Sequence, residues 1–310
     1  MTKHFIDLNQ IKQKELHSIL KLARKLKKQS LAKQEKLLPR KNLAMIFERN
    51  STRTRVSFEV AMNELGGHAI VMQKNDMQLG KGETVADTAA VLSRFVDAIM
   101  IRSNFHQTIT ELADNAAIPV INALSDFSHP CQIMASLLTI EEHLGKISKK
   151  KLAWFGDANN VLNSYIHAAR AFNYELRIAT PKKLDFCDEE IAKAVKSGAK
   201  ISRFFDAKSA AKDADVIITD TWFSMGDGSE DDEGLRKEKI KMLSPYQVNS
   251  ELMKLANKRA IFTHCLPAYR GFEVTADVID SKRSVVFDEA ENRLHAQKAI
   301  LVWVMKNESD

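Results

Sequence analysis

The sequence between positions 47 and 59 reads Phe47-Glu48-Arg49-Asn50-Ser51-Thr52-Arg53-Thr54-Arg55-Val56-Ser57-Phe58-Glu59. The apolar run from Leu43 to Phe47 just before it predicts a short buried strand. After Thr52, apolar residues recur on helical stripes, and Gly66-Gly67 then ends the predicted helix. A strand that leads directly into a helix is the repeating unit of an α/β fold.

The start of this predicted helix has the composition of an anion site. Ser51 or Thr52 can cap a helix, but Arg53 and Arg55 lie in the first turn, where a cation opposes the helix dipole. A phosphate at the same place would gain charge-assisted hydrogen bonds from both the backbone and the guanidinium groups. A capped helix with solvated arginines is the alternative interpretation, and the unfavourable position of the two cations argues against it.

Similar strand-like runs alternate with helical patterns along the whole chain. No internal repeat is visible, and 310 residues exceed the usual size of one core, so we expect two domains. Alternation of this kind predicts an α/β protein in which each domain is a parallel sheet flanked by helices. The predicted strands are Leu43 to Phe47, Ala98 to Ile101, Pro119 to Ile121, Leu152 to Phe155, Leu176 to Ala179, Val216 to Thr219, Ala260 to Thr263 and Val285 to Phe287.

Composition excludes several classes of protein. The chain is 45% hydrophobic and 28% charged, and we see no apolar run long enough to span a membrane and no signal-peptide core. Its three cysteines are widely separated, which disfavours a disulfide framework or a zinc site. We expect a cytoplasmic protein and no metal or cofactor. The formal charge of +6 is spread over helix faces with few aromatic residues, and it suits small anionic substrates better than nucleic acid.

Most of the unusual polar residues follow directly after predicted strands. Because ligands of parallel sheets bind beyond the carboxyl ends of the strands, these residues are expected to meet in one cleft between the domains. They are Ser51 to Arg55, Arg102, Ser128-His129, Asp157 to Asn160, Asp220 and His264-Cys265.

Each of these groups also has an ordinary structural interpretation. Arg102 could be a surface arginine, and a lone histidine such as His129 is usually packed or solvated. The turn from Gly156 to Asn160 follows a strand but lacks the Gly-x-Gly-x-x-Gly pattern of dinucleotide sites. His264 and Cys265 are neighbours on a predicted strand, so we expect their side chains to point to opposite faces and not to form a nucleophile and base pair.

Six ordered motifs resemble the aspartate/ornithine carbamoyltransferase family, over about residues 4 to 307, and His264-Cys265-Leu266-Pro267 resembles its ornithine-specific members. The resemblance implies a carbamoyl-phosphate-binding domain at 1–145, with the last helix, 289–310, packing back on it, and an ornithine-binding domain at 146–288. It implies transfer of a carbamoyl group from carbamoyl phosphate to the side-chain amine of ornithine by direct attack, without metal or covalent intermediate. It also implies a homotrimer or a multiple of one, because Gln78 in this family reaches a neighbouring subunit.

The resemblance also assigns roles to residues. Arg102, His129 and Cys265 would be catalytic. Asn160, Asp220, Ser224 and Met225 would bind ornithine. Carbamoyl phosphate would be bound by Ser51, Thr52, Arg53, Thr54, Gln78, Arg102, His129, Pro130, Cys131, Gln132, Cys265, Leu266 and Arg293.

Some alternatives remain open at this point. Another acceptor amine such as putrescine, or a phosphate-sensing or nucleic-acid-binding protein on the same fold, would use similar residues, whereas the P-loop of a nucleotide kinase is missing. Tyr269 and Phe272 depart from the family pattern. The sequence leaves open whether the reaction serves arginine biosynthesis or citrulline breakdown.

Overall fold

A computed structural model describes residues 2–77, 82–223 and 232–306 of the chain. The chain divides into two compact units, one formed by Met1–Leu138 with Glu291–Asp310 and the other by Thr139–Ala290. Within the described ranges, none of the helices combines the length and the apolar character that crossing a membrane requires.

The first unit is built on a four-stranded sheet in which all neighbours run parallel. The spatial order is β2-β1-β3-β4, so the chain leaves β1 toward one edge and then returns to β1's other side. The gap between β1 and β3 is therefore a topological switch point, where open α/β sheets bind ligands. The strands are β1 (Asn42–Phe47), β2 (His68–Gln73), β3 (Ala98–Arg102) and β4 (Val120–Leu124).

Helices cover this sheet, and two of them, α6 and α13, cross the division between the units. The last helix begins in the second unit and continues into the first. The helices that contribute to the first unit are α1 (Gln13–Lys28), α2 (Leu31–Gln34), α3 (Thr52–Glu64), α4 (Val85–Leu92), α5 (His106–Asn115), α6 (Pro130–Leu144) and α13 (Val286–Met305), with 3-10 turns at Leu8–Gln10 and Lys74–Asp76.

The second unit has a five-stranded parallel sheet of order β7-β6-β5-β8-β9. Its switch point lies between β5 and β8. The strands are β5 (Lys151–Phe155), β6 (Glu175–Ala179), β7 (Lys200–Phe204), β8 (Val216–Thr219) and β9 (Ile261–Thr263), and the further helices are α7 (Asn160–Phe172), α8 (Asp188–Lys196), α9 (Ala207–Ala211), α10 (Glu233–Leu243), α11 (Ser250–Leu255) and α12 (Ala276–Ile279), with a 3-10 turn at Ser244–Tyr246.

The predicted fold class of parallel sheets flanked by helices is confirmed, and all but one of the predicted strands are present. The exception is wrong: residues 285–287 lead into α13, since a short apolar run does not distinguish a strand from a buried helix start. Two strands, β2 and β7, were not predicted. Both lie at sheet edges and are partly exposed. Strand β7 alternates apolar and polar residues and lacks a continuous apolar run, whereas β2 contains the apolar run from Ala69 to Met72, which was not recognised as a strand.

Helix α3 begins and ends where the sequence predicts. Phe58, Met62 and Leu65 are fully buried, whereas Val56, on the other predicted stripe, is 54% exposed. Gly66 stops the helix with a φ of +87°, and a Cβ atom there would lie 2.0 Å from the carbonyl oxygen of Glu35. Only glycine fits this turn, which fixes the length of α3 and therefore the place of its first turn.

The C-terminal part of α13 is anchored on the first unit by a buried lysine. Lys298 is 1% exposed, and its Nζ donates to Gln34 Oε1 at 2.8 Å and forms an ion pair with Glu64 at the end of α3. Closer to the start of the helix, Lys27 Nζ donates to Asn292 Oδ1 at 2.8 Å. These contacts fix the register of α13 and so the position of Arg293.

Candidate active site

The loop that follows β1 places the first turn of α3 at the switch point of the first sheet. Ser51 caps the helix, since its Oγ accepts a hydrogen bond from the Thr54 backbone N–H at 3.3 Å. Glu48 ties the same loop to the end of β3, because its Oε2 accepts hydrogen bonds from Ser103 Oγ and from the Asn104 N–H, each at 2.7 Å. Phe47 and Arg102 are in register at the ends of their strands.

Two guanidinium groups meet at the hydroxyl of Thr54. Arg293 donates to Thr54 Oγ1 at 2.8 Å, and Arg102 donates to the same atom at 3.5 Å. All three side chains are buried, with Arg102 6%, Arg293 4% and Thr54 0% exposed. Burying two cations beside one hydroxyl is costly unless an anion offsets their charge.

His129 lies beside these cations. Its pKa is held well below the usual value by burial first and then by the positive charges of Arg293, Arg102 and Arg53. A histidine in this environment stays neutral and carries one N–H donor. The arrangement brings Arg53, Arg102, His129 and Arg293, all singled out from the sequence, into one electropositive group.

The two arginines of the first turn of α3 have different surroundings. Arg53 is partly buried, and its buried Nε has no hydrogen-bond partner among the described residues. Arg55 is exposed and lies 3.6 Å from Glu59 Oε2, one helical turn further along. The sequence predicts that both arginines belong to the anion site, whereas the geometry favours Arg53 alone.

Three further predicted residues open helix α6 immediately after His129. Pro130 is the first residue of the helix, and Gln132, 1% exposed, lies near its hydroxyl neighbour Ser136, with the Gln132 Nε2 donating to Ser136 Oγ at 3.5 Å. Cys131 is fully buried, and its thiol donates to the Asn122 carbonyl oxygen at 3.3 Å. Burial raises the pKa of that thiol to about 12, so the Cys131 side chain is a neutral packing group.

In the second unit, the turn after β5 brings an asparagine to the end of β8. Asn159 caps α7, with its Oδ1 accepting from the N–H groups of Val161 and Leu162 at 3.0 and 3.1 Å. Its Nδ2 donates to Asp220 Oδ2 at 2.9 Å. The adjacent Asn160, predicted to bind ornithine, is the first residue of α7 and is partly exposed.

Asp220 also contacts Cys265, which follows β9. The Cys265 thiol donates to Asp220 Oδ1 at 3.0 Å, and Asp220 is 6% exposed. Because Asn159 donates to the other carboxylate oxygen, Oδ2, the Asp220 carboxylate is held in one orientation at the switch point of the second sheet. It can accept a further hydrogen bond from an ammonium or amine group.

The prediction that the side chains of His264 and Cys265 point to opposite faces of a strand is wrong. Strand β9 ends at Thr263, so the alternation of side chains stops before both residues, and polar atoms of Asp220, His264 and Cys265 lie within 4.8 Å of one another. His264 is nevertheless not a base for the thiol. Its Nδ1 accepts from the Leu266 N–H at 2.9 Å, and its Nε2 lies 3.3 Å from Glu273 Oε1, with both side chains fully buried.

The same contacts hold Leu266 in an unusual conformation. Its φ is +58°, in the left-handed region that a branched side chain rarely adopts, and the following bond to Pro267 is cis. Backbone strain from a positive φ at a branched residue persists only where neighbouring groups enforce it, and it is often found at ligand sites. The His264 side chain provides that enforcement by binding the Leu266 N–H.

The cluster of Asp220, His264 and Cys265 contains donor types that bind soft divalent ions. In the structure, however, these groups bind one another, Asn159, Glu273 and the Leu266 backbone.

Some structural features of this group in the second unit were not apparent from the sequence. Asp157 forms an ion pair with Lys239 of α10 at 2.7 Å, both largely buried, which fixes the turn before Asn159. No local pattern marks Lys239, whereas an asparagine just before a helical pattern is a recognisable cap and would have identified Asn159. Tyr269 and Phe272, the two departures, both pack edge-on against Phe223, at 5.7 and 5.3 Å between ring centroids.

Three predicted site residues, Gln78, Ser224 and Met225, lie outside the described residues. The remaining ones fall into two groups, one in each unit. The first contains Ser51, Thr52, Arg53, Thr54, Arg102, His129, Pro130, Cys131, Gln132 and Arg293, and the second contains Asn160, Asp220, Cys265 and Leu266.

Comparison with known proteins matches both units to models of one family. Residues 3–142 match the carbamoyl-P binding domain of aspartate/ornithine carbamoyltransferase, and residues 148–304 match its Asp/Orn binding domain. Among curated relatives, an ornithine carbamoyltransferase of Rhodopseudomonas palustris is 53% identical over 308 residues, which cover 98% of this chain and 97% of that protein. One from Brucella abortus is 53% identical over 306 residues, covering 98% and 96%.

Solved structures agree with these matches. The ornithine carbamoyltransferase of Pyrococcus furiosus superposes with a TM-score of 0.91 at 48% identity, covering 98% of this chain and 97% of that one. The Thermus thermophilus enzyme of the same name gives 0.88 at 38% identity, covering 99% and 100%. Sequence motifs, paired switch-point sites and full-length similarity thus lead to one conclusion: the chain belongs to the aspartate/ornithine carbamoyltransferase family.

Proposed function

We propose that this protein transfers the carbamoyl group of carbamoyl phosphate to the side-chain amine of L-ornithine, giving L-citrulline and phosphate. A new C–N bond forms between the amine and the carbonyl carbon, and the C–O bond to phosphate breaks. The amine loses one proton, and phosphate leaves with the bonding electron pair. The full-length similarity to proteins named ornithine carbamoyltransferase supports this reaction.

The observation that carries the proposal is the neutral histidine among guanidinium groups in the first unit. The start of α3 with Ser51, Thr52, Arg53 and Thr54 would bind the phosphate, and Arg293 would add a further donor. Arg102 and His129 would polarise the carbonyl. Negative charge that develops on that oxygen would meet donors that are already buried and oriented, which is the most effective form of electrostatic catalysis.

The second unit would supply the amine. Asp220, oriented by Asn159 and Cys265, provides a carboxylate for an amino or ammonium group. A free side-chain amine has a pKa of about 10.4, so only its rare neutral form can attack at neutral pH. Activity should therefore rise toward alkaline pH. Asn160, Ser224 and Met225 are proposed to hold the rest of ornithine, and the Leu266 carbonyl to bind the carbamoyl nitrogen.

Other assignments that follow from the family remain part of this proposal. Residues 1–145 with 289–310 would bind carbamoyl phosphate, and 146–288 would bind ornithine. The family models match 3–142 and 148–304, and Glu291–Asp310 groups with the first compact unit. The proposed active site would use residues of both. We further propose a cytoplasmic homotrimer, with Gln78 serving a neighbouring subunit, that acts in arginine biosynthesis. A structural relative is named an anabolic enzyme.

The purified protein tests this function directly. We expect citrulline to form from carbamoyl phosphate and ornithine, with little product when putrescine replaces ornithine. Two substitutions in the same helical turn provide a matched pair: Arg53→Ala should raise the KM for carbamoyl phosphate about 10- to 100-fold, as expected for a lost charged hydrogen bond. Arg55→Ala, at the exposed pair with Glu59, should change it less than about twofold. Absence of citrulline, or equal effects of the two substitutions, would contradict the proposal.

A further inference from the structure

A second network of polar side chains contacts the 125–128 turn, which directly precedes His129 in the first unit. His106, the first residue of α5, places its Nε2 3.1 Å from Asp7 Oδ2 and its Nδ1 2.9 Å from Ser125 Oγ. Asp7 and Ser125 are 2% and 0% exposed. The order of groups is carboxylate, imidazole and hydroxyl, but the buried Ser125 hydroxyl is occupied by backbone contacts, so this is not a hydrolytic triad.

The backbone contacts of Ser125 connect His106 to the 125–128 turn. The Ser125 Oγ accepts from the N–H groups of Phe127 and Ser128 at 3.3 and 3.1 Å. The same Oγ lies 2.9 Å from His106 Nδ1 and 3.4 Å from the Ser128 carbonyl oxygen. With Asp7 at the other ring nitrogen of His106, the three groups form one chain from Asp7 to the backbone of the 125–128 turn.

The same turn is held from two further sides. Asp126 Oδ1 accepts from the His106 N–H at 2.7 Å, and the rings of His106 and Phe127 lie 5.0 Å apart. Asn122 Nδ2 donates to Ser128 Oγ at 2.9 Å and to the Ile6 carbonyl at 3.1 Å. The segment that carries Asp7 is itself fixed beside β4, where Phe5 bridges Ile121.

We infer that Asp7, His106 and Ser125 are positioning residues for His129 in the proposed carbamoyl transfer. The turn they define ends at Ser128, and His129 follows it directly before Pro130 starts α6. Movement of this turn would move the imidazole away from the carbonyl oxygen that it polarises. Misplacement of a catalytic group by about 1 Å can lower a rate about 100-fold, so support behind the residue contributes to the reaction without contact with the substrate.

The inference rests on the proposed function, and the two can be tested separately. Citrulline formation by the unmodified protein tests the function, and only the variants test the positioning role. We expect His106→Ala to lower kcat/KM for carbamoyl phosphate about 10- to 100-fold, with the KM for ornithine changed less than about twofold. His143→Ala is the matched control, because His143 Nε2 lies 2.8 Å from Asp288 Oδ2 in a similar pair in the other unit.

Two further variants distinguish positioning from general support of the fold. In His106→Asn the side-chain amide takes the place of Nδ1 and can still form a hydrogen bond with Ser125, so it should recover part of the lost activity, whereas His106→Gln should recover less. The double variant His106→Ala/Ser125→Ala should be no slower than the slower single variant, since both act through one chain. A loss shared by both substrates, a result equal to that of His143→Ala, or a lower Tm with unchanged kinetics would overturn the inference.

Discussion

Arg293 donates a hydrogen bond to Thr54 Oγ1 at 2.8 Å although 239 positions separate the two residues in the chain. The contact joins the last helix to the first turn of α3, and it does so inside the first unit. Arg102 donates to the same hydroxyl at 3.5 Å. The anion site of this unit is therefore formed by three distant parts of the sequence.

Arg293→Gln should weaken carbamoyl phosphate binding. Glutamine keeps hydrogen-bonding ability and length but removes the charge, so the KM for carbamoyl phosphate should rise about 10- to 100-fold while the KM for ornithine stays within about twofold. Steady-state kinetics with each substrate varied in turn measures both. Arg270→Gln, which breaks an exposed pair with Asp280 at 2.7 Å, is the control and should leave both values unchanged.

His129 should make the protein sensitive to acid. Burial and then three arginines hold its folded pKa well below the ordinary value of 6.5. As the pH falls below about 6.5, this histidine binds a proton in the unfolded chain but not in the folded chain. The stabilisation that is present above about pH 6.5 is therefore lost as the pH falls. Between about pH 7 and about pH 5, the free energy of unfolding of His129→Gln should therefore fall by on the order of 1 kcal/mol less than that of the parent.

Urea denaturation at the two pH values measures that difference. His17→Gln provides a control for the general effect of removing a histidine, because His17 lies on the exposed side of α1. If the parent and His129→Gln lost the same free energy of unfolding on acidification, the neutral state assigned to His129 would be wrong.

Asp220→Asn should act on ornithine. The amide keeps the shape of the side chain but removes the negative charge that an ammonium or amine group would contact. Asn159 and Cys265 both donate to the carboxylate oxygens of Asp220, and the NH₂ group that replaces one oxygen cannot accept either hydrogen bond. We expect the KM for ornithine to rise at least about tenfold, with a smaller change in the KM for carbamoyl phosphate. Steady-state kinetics with each substrate varied in turn measures both KM values, and an increase confined to carbamoyl phosphate would refute the assignment.

How far the sequence leads can be judged from particular residues. Apolar runs and the polar residues after them were sufficient to place Arg102 and Asp220 at strand ends, and Pro130 indicated that a helix begins directly after His129. The separate surroundings of Arg53 and Arg55 were not predictable, since both follow the same helix start and only tertiary contacts separate them. Lys239 and Lys298 were not identified for a similar reason: buried partners from distant segments leave no trace in local spacing.

Gly156, in the turn after β5, should tolerate no side chain, because Trp222 approaches it closely. An added Cβ would lie 2.9 Å from the Trp222 Nε1, and Gly156 also has a φ of +104°. Gly198 is a matched control with a φ of +101° and nothing within 4 Å of an added Cβ. Both alanine variants carry the same backbone cost, so the additional loss of stability in Gly156→Ala, about 1–3 kcal/mol, measures the overpacking against Trp222. Since Trp222 lies two residues after Asp220, Gly156→Ala should also raise the KM for ornithine, whereas Gly198→Ala should not; equal denaturation curves for the two variants would refute the packing argument.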